Sequence, residues 1–396
     1  MAVLKPPVYT RPPWTFGKDL PQYPWMQTNT SCNTVILGGG LSACLTAYEL
    51  SQKDVEVTLL APAHIGAEDA SFPPAMTRLA AASLSRLAKR ITAANAVRVF
   101  HDYQDAIESL ASFCMHHSIP FERRDALLFA KNRMEQSFLE EEYRIRRHNG
   151  FDVEWMHADA LRDITSVSCS NALLLPHACA VCDSYALVHA LLEEAVKLGA
   201  HVFEHSPVTL LNGSCGRFTL TTDAQRVIKA KRIVCTGEIP RSFAPALSKI
   251  TRTVRMAVSS PISDFSGYEN KPVLLPAIGQ PMLFCTHDDR IAVVSSALAS
   301  PVKESPESPV YAQLERECEE MLCGVRPTFP DVRTSESYLS APNGLPYCAP
   351  AKDEQGVFVM SPGSPDSLTA AFVTAPIMSS LCTGSHPFHL YDGMLR

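Results

Sequence analysis

Residues 34–60 constrain this chain more than any other stretch. They read Thr-Val-Ile-Leu-Gly-Gly-Gly-Leu-Ser-Ala-Cys-Leu-Thr-Ala-Tyr-Glu-Leu-Ser-Gln-Lys-Asp-Val-Glu-Val-Thr-Leu-Leu: an apolar strand, a glycine turn, a helix and a second apolar strand. That order predicts a βαβ unit that cradles a nucleotide phosphate. Gly38 permits the tight turn out of the strand, and Gly40 lets the main chain approach a pyrophosphate. Ala43 is the small residue that lets the helix press onto the sheet. The helix then starts at the anion with Leu41, Ser42 and Ala43, where unpaired amides and the helix dipole stabilise negative charge. One expected residue is missing. An acid that holds the adenosine ribose belongs at the end of the second strand, roughly 20 residues past the glycines, and Ala61 stands there, followed by Pro62.

The chain of 396 residues is long enough for two domains. Lys+Arg number 35 against 41 Asp+Glu, so there is no basic excess to hold a phosphate backbone, and nucleic acid is excluded as a partner. No apolar run approaches the ~18 residues needed to cross a bilayer, and the first residues lack the apolar core of a signal peptide. A soluble, cytoplasmic protein without a membrane span is expected. The thirteen cysteines are an odd number without pairing rhythm, which argues for reduced thiols. His177, Cys179 and Cys182 form a compact group with two readings, metal or dithiol chemistry and ordinary free thiols. A structural zinc needs a second pair, and Cys318 with Cys323 is spaced wrongly for one, so no metal is expected.

Residues 1–32 are rich in Pro and aromatics and read as an arm lying on the body of the protein. Apolar spacing from Thr77 to Phe113 predicts a helical stretch, and a charged helix follows from Met134 to His148, stopped by Asn149-Gly150. His116-His117 reads as a helix end rather than a base pair. Asp183 to Gly199 predicts an amphipathic helix. It runs into His201–Phe203, strands at Arg217–Thr221 and Val227–Ala230, and a returning strand Arg232–Cys235. From Arg252 to Arg326 short strands and one helix, Tyr311–Cys323, predict a separate antiparallel domain. A strand at Val357–Met360, a turn and a helix from Leu368 to Leu381 close the pattern.

Several motifs follow the glycine turn in a fixed order. His64-Ile65-Gly66 comes after the second strand, Asp183 with Leu187 opens the amphipathic helix, and Val208 begins a strand. Cys235-Thr236-Gly237 ends the returning strand, Asn343-Gly344-Leu345-Pro346-Tyr347 comes later, and the 357–381 strand, turn and helix come last. From about Thr34 to Gly384 this order resembles the D-amino-acid oxidase-like family of FAD-dependent oxidoreductases, which includes glycine, sarcosine and γ-glutamylputrescine oxidases. The resemblance implies an α/β protein: a Rossmann-like FAD-binding domain interleaved with a smaller α+β substrate domain built on an antiparallel sheet. The FAD-binding domain is expected in residues 33–85, 171–250 and 333–396, and the substrate domain in 86–170 and 251–332. It also implies hydride transfer from the carbon beside an amine nitrogen to the flavin, followed by hydrolysis of the imine. The cofactor carries that reaction, so no acid–base pair is obligatory.

By the same resemblance FAD contacts Gly38, Gly40, Leu41, Ser42, Ala43, Ala61, Ser71, Val208, Thr236, Gly237, Gly363 and Leu368. Val208 meets adenine through its backbone, and the N-terminus of the last helix faces the flavin pyrimidine edge; on one reading Asp366 or Ser367 caps that helix, and on the other an acid there opposes the anionic reduced flavin. Cys348 does not align with the cysteine that links flavin covalently in some relatives, so non-covalent FAD is expected. Arg255, Cys285 and Tyr347 are the substrate-binding candidates. Cys285 stands where many relatives have an arginine that holds a substrate carboxylate, which argues against a simple amino acid. The loop 67–74 brings Glu68 and Asp69 toward a pyrophosphate without the family's flanking glycine, with Arg78 as a compensating cation. The turn 360–367 keeps one glycine, Gly363.

These departures leave two functions in view: an amine or amino-acid oxidoreductase, and a catalytically degenerate subunit that keeps the fold for binding or scaffolding. A nicotinamide dehydrogenase is a third, set aside by the flavoprotein order of the later segments. The expected partner is a small amine or amino-acid substrate, with a partner subunit or a homo-oligomer both open.

Overall fold

A computed structural model describes residues 22–66, 83–161, 167, 169, 171–237, 243–244, 251–279, 281–298, 308–322, 324–329, 333–339, 345–361 and 367–385. The chain begins with β1 (Thr30–Leu37), α1 (Leu41–Ser51) and β2 (Val57–Leu60). Next come α2 (Leu84–Ile91), α3 (Ala93–His116), β3 (Phe121–Phe129), α4 (Arg133–His148), β4 (Glu154–His157), α5 (Ala158–Leu161) and β5 (Asn171–Cys182). The middle holds α6 (Ser184–Lys197), β6 (His201–Phe203), β7 (Val208–Ser214), β8 (Arg217–Thr222) and β9 (Val227–Cys235). Then follow β10 (Thr251–Val258), β11 (Val273–Pro276), β12 (Met282–Cys285), β13 (Ile291–Leu298) and α7 (Pro309–Met321). The last elements are β14 (Arg333–Leu339), β15 (Tyr347–Pro350), β16 (Val357–Ser361) and α8 (Ser367–Thr383).

These elements divide into two units. The first takes residues 1–71, 184–251 and 338–396, and the second 72–183 and 252–337. The second, expected to be the smaller, uses as much chain as the first.

The sheet of the first unit runs β15-β16-β9-β1-β2-β6, with β8 also on β9 and β7 on β8. The pairs from β16 to β6 are all parallel. A parallel strand covered on both faces must be apolar throughout, and Val35, Ile36, Leu59 and Leu60 are each at most 2% exposed. Helix α1 is buried almost all round and packs on α6 and α8. The residues read as two strands, Val227–Ala230 and Arg232–Cys235, form the single strand β9. It lies along β1 throughout, while its other edge pairs first with β8 and then with β16. The chain passes from β1 to β2 and β6 on one side, while β9 and β16 lie on the other. The carboxyl end of β1 is therefore the point where strand order reverses, the place such sheets bind ligands.

The second unit holds a sheet of order β14-β10-β13-β12-β11-β3-β5-β4. Its β10/β13, β13/β12, β12/β11, β3/β5 and β5/β4 pairs are antiparallel, but β3 and β11 run parallel. Tyr268, Leu283, Cys285, Tyr311, Leu314 and Cys318 form the core that α7 covers. The helical stretch expected to Phe113 breaks at Thr92, whose φ of 83° no α-helix continues. The Thr92 hydroxyl instead accepts the amide of Asn95 and starts α3. His116 ends α3, and His117 is its C-cap. Among the described residues no helix is long and apolar enough to cross a membrane.

Candidate FAD-binding site

The site begins where β1 ends. Gly38 donates its amide to Leu60 O at 3.0 Å and holds φ at 140°, a backbone region open to glycine. A Cβ there would strike Thr236 Oγ1 and lie 3.2 Å from Gly237 N. Those two residues are held by Leu37: its carbonyl accepts the amides of Thr236 (3.0 Å) and Gly237 (3.3 Å) and the Thr236 hydroxyl (3.0 Å). The Thr236-Gly237 motif thus braces the glycine turn, and its hydroxyl is already used there. Gly39, which sequence reasoning passed over, is as confined. Its Cβ would sit 2.9 Å from that of Ala61, and its carbonyl accepts the amide of Gly66 at 2.8 Å.

Gly40, at φ −86° and ψ 178°, is the N-cap of α1 and supplies no side chain to the first turn, which contains no acidic residue. The first intrahelical bond is Cys44 N to Gly40 O, so the amides of Leu41, Ser42 and Ala43 have no intrahelical acceptor. Ser42 is 4% exposed, and its Oγ has no hydrogen-bond partner among the described residues. A buried hydroxyl without a partner costs about 1–3 kcal/mol. Uncapped amides, an unopposed helix dipole and an orphaned hydroxyl are what a diphosphate would satisfy, so these residues fit the phosphate portion of a dinucleotide.

The ribose side is built differently. Ala61 is fully buried, and its main chain is committed to β6 and its following loop: its amide donates to Phe203 O (2.9 Å) and its carbonyl accepts from Ser206 N (3.0 Å). The loop that leaves the paired strand β6 carries a buried carboxylate, Glu204, 1% exposed, which sequence reasoning also missed. Glu204 Oε1 accepts the amide of Ile65 (2.9 Å) and faces His64 Nδ1 (3.0 Å), while Oε2 accepts the amide of Tyr23 (3.3 Å). It therefore fastens the loop after β2 rather than replacing the absent acid in kind.

The remaining expected residues are dispersed. Val208 (6% exposed) opens β7, and Leu368 (3%) lies in the first turn of α8. Tyr347 pairs with Ser361 across β15 and β16 and packs with Cys235 and Val359. Cys348 is buried, its Sγ 3.7 Å from Thr374 O, and burial pushes its thiol well up. A thiol held protonated is a poor nucleophile. In the second unit Arg255 is 7% exposed, lies opposite Ser295 and is engaged by neighbours. Cys285, the substrate-binding candidate where many relatives have an arginine, lies at 1% exposure in the core under α7, where burial pushes its thiol up to about 12. Ser71, Gly363, Asp366, Arg78 and loop 67–74 lie outside the described residues. Cys179 and Cys182 are buried in β5, while the His177 side chain is 73% exposed. A cavity of about 200 Å³ in the second unit is bordered by Phe100, Arg123, Arg146 and Phe151. Its cations are already paired, Arg123 with Glu108 and Arg146 with Glu142.

Comparison with known proteins bears on the fold and the family. The solved structure of glycine oxidase from Geobacillus kaustophilus is similar over 91% of this chain and 97% of its own, with TM-score 0.75 and 14% identity. L-proline dehydrogenase from P. horikoshii matches over 93% of this chain and 100% of its own, with TM-score 0.73 and 15% identity. At that identity the likeness is one of fold. A protein of Bacillus subtilis (strain 168), named Putative Rieske 2Fe-2S iron-sulfur protein YhfW, is 24% identical over 230 residues. Those residues are 57% of this chain and 44% of that one, so the match spans less than half the length of the curated relative. The family model described as FAD dependent oxidoreductase matches residues 33–381, from the start of the glycine-turn unit through most of α8. The chain belongs to this DAO family of FAD-dependent oxidoreductases.

Proposed function

We propose that this chain binds FAD without a covalent bond at the N-terminus of α1 and oxidises a C–N bond of a small amine or amino-acid derivative. The observation that carries the reading is the uncapped, acid-free first turn of α1 beside the orphaned Ser42 hydroxyl. When bound, FAD supplies the acceptor for a hydride leaving the carbon next to the amine nitrogen, and water hydrolyses the resulting imine. The chain's own part is to hold and orient. Gly38 and Gly40 bring main chain close to the diphosphate, and the amides of Leu41, Ser42 and Ala43 donate to it. Thr236 and Gly237 brace the turn behind them. Val208 is the proposed backbone contact for adenine, and Leu368 at the start of α8 the contact at the flavin end. Arg255 is the proposed cation for an anionic substrate group, and Tyr347 a second substrate contact. The amine chemistry draws on the names of the similar structures, a glycine oxidase and an L-proline dehydrogenase.

The test is the visible spectrum of the purified chain, followed by anaerobic mixing with a panel of amines and amino acids. Flavin bands that one amine bleaches are expected. Absence of flavin together with no uptake of added FAD would refute binding. A second reading rests on Ala61 and on Glu204 being engaged elsewhere: a degenerate member that keeps the fold as a binding subunit. Bound flavin that no amine in the panel reduces would favour it.

A further inference from the structure

Because β2 and β6 run side by side in parallel, the loops leaving their carboxyl ends lie together. His64 comes from one loop, and Glu204 and His205 from the other. His64 Nδ1 and Glu204 Oε1 are 3.0 Å apart, and one ligating atom from each of the three residues lies within 4.8 Å of the others. The His205 backbone sits in the left-handed region at φ 45°, and its ring centroid is 5.3 Å from that of His64.

The carboxylate is the built part of this group. Glu204 is 1% exposed, and the Ile65 and Tyr23 amides aim its two oxygens. Such outer hydrogen bonds orient metal ligands. His64 is 35% exposed at its side chain and His205 is exposed, so the outer side of the group is open to water. A hydrogen-bonded His64–Glu204 pair accounts for two of these residues and leaves the third imidazole unexplained. Two imidazoles and one carboxylate suit a borderline divalent ion rather than Ca²⁺ or Mg²⁺, which take mostly oxygen ligands. Tetrahedral zinc with bonds of about 2.0–2.1 Å spaces its ligand atoms about 3.3 Å apart. His64 and Glu204 already have nearly that separation, and the ligating nitrogen of the exposed His205, within 4.8 Å of both, would have to close the remainder.

We propose that His64, Glu204 and His205 form a Zn²⁺ site, with water as the fourth ligand, that clamps the loop after β2 to the loop after β6. The linear sequence hides the site because its ligands lie 140 residues apart. The two loops flank Ala61, so the ion also stiffens the segment where the family's usual ribose acid is missing.

The test uses the full chain, dialysed against chelator and titrated with Zn²⁺ by calorimetry, beside His64→Ala and His205→Ala. Both substitutions are at partly or fully exposed imidazoles, which protects the fold. One Zn²⁺ per chain is expected, with affinity lowered at least tenfold in each variant and a zinc-dependent rise in thermal midpoint that His205→Ala abolishes. The absence of saturable binding, or binding unchanged in either variant, would overturn the proposal. The readout is zinc, so it stands apart from whether the chain oxidises amines.

Discussion

Gly38→Ala tests whether the turn out of β1 is shaped by Thr236, and the structure supplies the parts of the cost. A non-glycine residue at φ 140° pays about 1–3 kcal/mol in backbone strain. The added methyl runs into Thr236 Oγ1, and overpacking of this kind costs a further ~1–3 kcal/mol. The single substitution should therefore cost about 2–6 kcal/mol. Thr236→Ala alone should cost about 1 kcal/mol, because Leu37 O keeps the amides of Thr236 and Gly237 when the hydroxyl bond is lost. In the double variant the clash with the hydroxyl is gone while the close approach to Gly237 N and the torsional part remain, so its cost should fall short of the sum of the singles by about 1–2 kcal/mol. The assay is urea denaturation followed by circular dichroism, comparing midpoints at a common slope. FAD uptake should fail in Gly38→Ala and return in part in the double variant. Costs that add to within about 0.5 kcal/mol would mean the methyl and the hydroxyl never meet, and the bracing role given to Thr236 would be wrong.

Three further outcomes follow from the same structure. Ser42→Ala removes a hydroxyl with no partner among the described residues, so it should leave flavin-free stability unchanged or raised while weakening FAD binding by roughly 5–10-fold; equal affinity by fluorescence titration would remove Ser42 from the phosphate site. Burial raises the carboxyl pKa of Glu142, but Arg146 and the amide and hydroxyl of Ser85 outweigh that, leaving it below the ordinary value of 4.5. Its stabilisation is then complete above that value and lost as pH falls through the lower folded one. Glu142→Gln should flatten the acid limb of the stability profile, and Glu142→Ala, which strands Arg146, should cost about 3–5 kcal/mol by denaturation at neutral pH. Acid precipitation should release all flavin into the supernatant, since the Cys348 thiol is buried and protonated; flavin retained on the pellet would show a covalent bond.

What could be read from the residues follows their range along the chain. The βαβ unit was legible because its signals are local: strand, glycines and helix lie within 27 consecutive positions, 34–60. The β3–β5 part of the second sheet was not. β3 opens with the charged run Glu122-Arg123-Arg124-Asp125, and β5 carries Pro176 with His177 at φ 51°. The pairing shifts register there, with Arg124 to Ala126 opposite the longer stretch Cys179 to Leu175, so β5 carries the extra residues, and such an irregularity breaks the alternation that marks a strand. Cys285 was similarly misplaced, because position in a motif does not say which face of β12 a side chain takes; α7 covers that face and puts the thiol in the core.

The sequence by itself determined the glycine-turn βαβ unit and the family, since both rest on residue order and on the steric freedom of glycine over a short span. Only the tertiary structure decided what surrounds that turn. Parallel pairing of β2 with β6 sets Glu204 and His205 beside His64, and pairing of β9 with β1 brings Thr236 against Gly38. Contacts made across 140 to nearly 200 residues depend on sheet register, which no local pattern encodes.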